Sequence, residues 1–118
     1  MLLQKPHIKH VVGKHWVVTQ SMIYESPIVG TVIVPVGFET DLASVPRVPL
    51  AYLLTGGKAN VPAILHDYLY VYGGCTRKEA DDAFMECMQT LGDPKSGFKR
   101  WLMYTAVRLF GGGSWRHE

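Results

Sequence analysis

Cysteine is scarce in these 118 residues: only Cys75 and Cys87 occur, in no Cys-x-x-Cys or Cys/His spacing, which argues against a structural zinc site. Two thiols in a reducing compartment is the simpler expectation. A single disulfide across a short loop is the alternative, and it requires the second predicted helix to fold back on the first. Charge is also in small supply, since 12 Lys+Arg against 10 Asp+Glu leave a formal +2, too little to imply a nucleic-acid partner. No apolar run reaches the ~20 residues of a membrane span. The opening residues Met1-Leu2-Leu3-Gln4-Lys5-Pro6-His7 lack the apolar core of a signal peptide. A soluble protein made and kept in a cytoplasm is therefore expected.

What is present suits an ordinary globular domain: 47% of residues are hydrophobic and 19% charged. A chain of this length forms one domain and buries a core without metal or disulfide staples. Five histidines are many for 118 residues. Four of them, His7, His10, His15 and His117, lie near the ends, where solvation is the expectation and a terminal metal cluster the minority reading. His66 is the exception, deep in the chain.

Residues 1–40 are β-rich. Residues 16–24 and 31–36 are full of Val, Ile, Thr and aromatics and are separated by Ser26-Pro27-Ile28-Val29-Gly30, which predicts an antiparallel hairpin. Val11-Val12 adds a short third strand, and residues 36–40 extend the second past a bulge at Gly37. Residues 41–59 follow as an ordered loop, because Pro46 and Pro49 restrict helix and strand alike. Asp41 and Ser44 suit backbone capping there, with Asp41 or Arg47 reaching into a neighbouring site as the functional alternative.

Residues 60–111 read as three helices, the first two an antiparallel pair, so the fold class is α+β. Asn60 as N-cap and Pro62 in the first turn predict a helix over 61–72. Its apolar stripe is Val61, Ile64, Leu65, Tyr68, Leu69 and Tyr72, and His66, Asp67 and Tyr70 share the opposite face, facing either water or a cleft. Gly73-Gly74 stops it. Thr76-Arg77-Lys78-Glu79 has capping-box spacing and opens a second helix to about Leu91, with Asp81 at the edge of its apolar stripe and Asp82 turned away. Asp93-Pro94 predicts the start of a third, through Phe98, Trp101, Leu102, Thr105, Ala106 and Leu109. Lys95, Lys99, Arg100 and Arg108 make it basic, which reads first as a solvated face and second as a surface for anionic lipid or a partner. Residues 112–118 form a tail, mobile unless Trp115 docks.

Only the two central helices look placed for chemistry. A histidine becomes a general base when a carboxylate holds one ring nitrogen and the other faces water or a substrate hydroxyl. His66 and Asp81 meet that requirement if the helices pair face to face. Tyr70, one turn beyond His66, would hold the carboxylate, and Asp67 would remain for a hard cation such as Ca²⁺ that polarises an ester carbonyl. Arg77 is a further candidate at the start of the second helix.

The pattern resembles the phospholipase A2 superfamily, in which one helix carries His-Asp-x-x-Tyr and another supplies the dyad aspartate. The likeness is closest to the short viral-capsid type, which continues with Ala-Asp-x-x-Phe; the matching segments here are His66-Asp67-Tyr68-Leu69-Tyr70 and Ala80-Asp81-Asp82-Ala83-Phe84. The resemblance spans residues 61–88 and implies His66 as general base, Asp67 as calcium ligand and Asp81 as dyad partner. Those enzymes carry a glycine-rich calcium loop upstream. The only candidate here, Gly56-Gly57, lies close to His66 and lacks the usual form, which leaves Asp41 or carbonyls of residues 41–47 as substitutes.

A second resemblance covers nearly the whole chain. Thr40-Asp41-Leu42-Ala43-Ser44-Val45-Pro46-Arg47, the His66 to Tyr70 segment, Arg77 with Ala80-Asp81, and Met103-Tyr104 leading to Ala106-Val107-Arg108 look like a family of small tailed-phage and prophage proteins, domain of unknown function 1353. It implies a phage origin, action in the host cytoplasm or virion, and membrane lipid or other virion proteins as partners, without an established activity. Three readings stand: an ester hydrolase using the His66–Asp81 dyad, a virion or host-interaction protein in which the cluster is a structural network, and a helix histidine with no chemical role.

Overall fold

A computed structural model of the chain describes residues 1–12, 15–40, 61–92 and 95–115. The first forty residues form six strands: β1 (Leu2–Gln4), β2 (His7–Val12), β3 (His15–Gln20), β4 (Met22–Ser26), β5 (Gly30–Val34) and β6 (Glu39–Thr40). They pair antiparallel into two three-stranded sheets, ordered β1-β4-β5 and β2-β3-β6. The expected hairpin is present, with Met22 opposite Val34 and Ser26 opposite Gly30. Two details differ from the sequence reading. The apolar run 16–24 divides at Ser21 between the two sheets, where Gln4 Nε2 donates 2.7 Å bonds to both the Ser21 carbonyl and its hydroxyl. Residues 36–40 do not prolong β5 either. Gly37 sits at φ 95°, a conformation open chiefly to glycine, and turns the chain so that β6 pairs with β3.

Alternation then decides which strand residues enter the core. Met22 and Tyr24 of β4 and Val32 and Val34 of β5 are buried, while Glu25, Thr31 and Ile33 face out. The inward set meets Val61, Ile64, Leu65 and Leu69 of helix α1 (Val61–Tyr72) and Ala80, Ala83 and Cys87 of α2 (Arg77–Leu91). Tyr24 spans the two halves, its hydroxyl donating to Glu86 Oε1 at 2.6 Å. Burial and that carboxylate push its phenol pKa up, so it stays a donor.

Helix α1 has the range read from the sequence and ends at Gly73 in the left-handed region. Helix α2 opens on the full capping box, with Thr76 accepting from the Glu79 N–H and Glu79 accepting from the Thr76 N–H, and closes on Gly92 at φ 61°. The third helix, α3 (Gly97–Phe110), corrects an expectation. Its N-cap is Ser96, whose hydroxyl accepts from the Lys99 N–H, and Asp93 and Pro94 lie outside the described residues. Its buried side is Met103, Ala106 and Val107, with Met103 and Val107 packed against Ala63, Phe84 and Met88, whereas Phe98, Trp101 and Leu109 are exposed. A short 3₁₀ turn, Gly111–Ser114, brings Trp115 edge-on to Tyr70 with ring centroids 5.1 Å apart, so the tail docks as far as that residue.

Cys75 and Cys87 form no disulfide, and among the described residues no helix is long and apolar enough to cross a membrane. Replacing Thr76 by Ala removes the acceptor that starts α2. The fold should survive with a loss of about 1 kcal/mol, measurable by urea unfolding followed by circular dichroism.

Candidate functional site

The pairing of α1 with α2 sets the site. His66 and Tyr70 lie one turn apart on α1 and therefore share a face, and Asp81 stands at the corresponding height of α2. His66 Nε2 lies 2.8 Å from Asp81 Oδ1, and the Tyr70 hydroxyl donates to the same oxygen at 2.7 Å. An ionised carboxylate only accepts hydrogen bonds, so Nε2 carries the ring proton and the Nδ1 lone pair is left on the other side. Asp82, the adjacent carboxylate, faces elsewhere, accepting from Lys78 Nζ at 2.7 Å and from the Tyr104 hydroxyl at 2.6 Å.

Two arginines complete the cluster. Arg108 Nη1 donates to Asp81 Oδ2 at 2.7 Å. Arg77 Nε donates to the Tyr70 hydroxyl at 3.2 Å, and its Nη2 to the carbonyls of Val107 and Arg108, each at 2.8 Å. Arg77 thus caps the C-terminal carbonyls of α3, the negative end of its dipole, and links that helix end to the dyad. The approach is close enough to constrain the backbone: a β-carbon on Gly111 would lie 2.7 Å from the Tyr70 hydroxyl.

Burial changes the sequence picture. The face carrying His66 and Tyr70 was expected to meet water or a cleft, yet His66 is 3% exposed and Asp81 fully buried. The reason is that α2, with Phe84 at 4.7 Å between ring centroids from His66, covers that face while the sheets cover the other. Tyr72, assigned to the apolar stripe, is instead exposed at the end of α1. Arg108, grouped among solvated basic residues, is the ion-pair partner of Asp81. Sequence reasoning missed that role because nothing in a helix periodicity says which cation meets which acid on the neighbouring helix. The one available signal is position: Arg108 lies at the end of α3 beside Val107, a buried residue of that helix.

The electrostatics follow. Burial holds the His66 imidazole below its ordinary pKa, outweighing its bond to Asp81, and the charge of Arg77 adds to the shift. Burial alone would raise Asp81, but the bonds from His66, Tyr70 and Arg108 together hold its carboxyl below the usual range. Tyr70 is pushed up by burial and by Asp81, so it remains protonated and able to donate. The resting state is a neutral imidazole, a carboxylate and a phenol.

Asp67 sits apart from this cluster, its Oδ2 accepting from the Thr40 hydroxyl. A calcium ion takes six to eight oxygens. Among the described residues no three Asp, Glu, His or Cys groups come together as a metal's ligands. Asp41, Ser44, Arg47 and the Gly56-Gly57 pair lie outside the described residues.

Both shifts act on stability in one direction. His66 binds its proton less readily folded than unfolded, so stability is full above the ordinary value of 6.5 and falls as the pH drops below it. Asp81, with a depressed folded pKa, contributes above its ordinary 3.8, and that contribution is lost as the pH falls through the folded value. The melting midpoint is expected to decline from about pH 7.5 to about pH 5, and His66→Gln should flatten that step. Separately, Arg108→Met leaves Asp81 Oδ2 without its cation and should cost about 2 kcal/mol in chemical denaturation. Lys78→Met, at the exposed pair with Asp82, should leave the midpoint nearly unchanged.

No curated protein and no solved structure matches the chain. One family model does, described as a protein of unknown function, over residues 16–107. That span runs from β3 to the end of the buried face of α3 and includes His66, Tyr70, Arg77 and Asp81. By this match the chain belongs to the DUF1353 family.

Proposed function

We propose that the chain is a small hydrolase of phospholipase A2 type, in which His66 acts as general base on a water that attacks a carboxylic ester. The supporting observation is the arrangement at Asp81. It fixes His66 through Nε2, is itself anchored by Tyr70 and Arg108, and leaves Nδ1 of a neutral ring as the basic nitrogen. In the reaction, Nδ1 takes a proton from water as the oxygen bonds to the carbonyl carbon, Asp81 stabilises the imidazolium, and the proton passes to the departing alkoxide as the ester bond breaks. Ion pairs at a helix interface are weak contributors to stability compared with apolar packing, so a buried carboxylate with three donors calls for a further reason. Together with the likeness to phage and prophage proteins, this favours a lipid or other cell-envelope ester as substrate, with action in the host cytoplasm or the virion. No step is assigned to calcium, and Asp67 is the residue through which calcium would act.

One observation favours a second reading. With His66 3% exposed and Asp81 fully buried, the cluster is closed in the way of a structural network, which rigidifies a core when every member is satisfied. In that case the chain is a virion or host-interaction protein without catalysis.

The assay follows release of fatty acid from phospholipid vesicles, and of alcohol from short soluble esters, with calcium and with a chelator. Turnover by the native protein, reduced at least about a hundredfold in His66→Gln while the melting midpoint moves by only a few degrees, is the expected result. Asp67→Asn should remove any calcium dependence. No turnover of either substrate class under either condition, with His66→Gln losing stability, would sink the hydrolase reading and leave the structural one.

A further inference from the structure

Helix α3 buries Met103, Ala106 and Val107 and turns a second apolar side to solvent. At about 100° per residue, Phe98, Trp101, Leu102, Thr105 and Leu109 fall within about 100° of arc, a stripe about 17 Å long. Phe98 is 68% exposed, Trp101 56% and Leu109 69%. The Phe98 and Trp101 rings lie parallel within 30°, their centroids 6.2 Å apart, so the two aromatics form one surface. Three large exposed apolar residues along one side of a fourteen-residue helix are a patch and not scatter.

The charge around the stripe selects its occupant. Residues 95–110 include Lys95, Lys99, Arg100 and Arg108 and no acid. Arg108 is directed to Asp81, and Arg100 donates to the Lys95 carbonyl. Lys99 is exposed about 100° around the helix from Phe98, and Lys95 is exposed just before the Ser96 N-cap, so both amines can reach beyond an apolar contact plane. A second copy packed in parallel through this stripe would set Lys99 against Lys99, and residues 95–110 supply no acid to pair with it. An aromatic and aliphatic face flanked by lysines is the composition of helices that lie in the headgroup layer of an anionic bilayer.

We infer that the outward face of α3, through Phe98, Trp101 and Leu109 with Lys95 and Lys99, docks the protein on an anionic phospholipid surface. Docking does not depend on the His66–Asp81 cluster performing catalysis: α3 lies beyond residues 61–88, and its lipid-facing side is turned away from Met103 and Val107. It places the chain at a membrane face whether or not an ester is cleaved there.

The test is co-sedimentation of the full chain with vesicles of equal parts phosphatidylcholine and phosphatidylglycerol, and with vesicles of phosphatidylcholine alone. Binding to the anionic vesicles, weakened by salt and weak on the neutral ones, is expected. Lys95→Gln and Lys99→Gln should each weaken it about fivefold. Phe98→Ser and Trp101→Ser should each weaken it roughly tenfold, with melting midpoints close to that of the native chain. The His66→Gln variant is expected to bind like the native chain, so a negative esterase assay and a negative vesicle assay are separate results. The inference is overturned if the native chain ignores anionic vesicles, or if Phe98→Ser and Trp101→Ser bind unchanged. It is equally overturned if light scattering shows a dimer that those two substitutions dissociate, because a second copy then covers the stripe.

Discussion

The Asp81 carboxylate is the point at which three helices are tied to one another. It accepts from His66 and Tyr70 of α1 and from Arg108 of α3, while belonging to α2 itself. Buried and charged, it would be strongly destabilising alone, and its neighbours are constrained by the need to satisfy it. That need accounts for several otherwise unrelated features. Tyr70 stays protonated, Arg108 runs back along α3 towards the dyad, and Arg77 holds the last carbonyls of α3 while donating to Tyr70. Gly111 lies where a side chain would strike the Tyr70 hydroxyl. Removing one member leaves the others buried with an unmet bond, so the cluster behaves as a unit.

The same construction bears on chemistry. A histidine held through Nε2, kept neutral by burial and backed by an anchored carboxylate, is a base with a fixed tautomer. Its closure is the opposing fact, because a base must meet water or substrate. The hydrolase and the structural network share every distance at Asp81 and differ in whether Nδ1 is reached from outside. Turnover therefore discriminates between them, whereas further geometry at Asp81 does not.

The two sides of α3 divide the molecule's polarity. One side packs on Ala63, Phe84 and Met88 and ends at the Asp81 cluster. The other presents aromatics and lysines to the surroundings. Periodicity could not rank the two, since Phe98, Trp101, Leu102 and Leu109 make as good a core stripe as Met103, Ala106 and Val107. Packing put the smaller residues on the core side, where Met103 and Val107 meet Ala63 of α1 and Phe84 and Met88 of α2.

Local chemistry carried the reading of the helices. Thr76 and Glu79 start α2, Gly73 and Gly92 close their helices in a conformation that suits glycine, and alternation in β4 and β5 marks Met22, Tyr24, Val32 and Val34 as inward. The choice of Asp81 over Asp82 as the carboxylate facing α1 was also legible, because adjacent helix residues point about 100° apart and only Asp81 borders the apolar stripe. What lay beyond the sequence were relations between distant segments. The division of the run 16–24 into two sheets depends on a bond from Gln4, the pairing of β6 with β3 on a turn at Gly37, and the role of Arg108 on where the end of α3 comes to rest. Periodicity and capping act over a few residues, so the sequence by itself determined the helices, the turns and the faces. Only tertiary packing decided which faces met, because that choice is made by the shape and charge of partners far away in the chain.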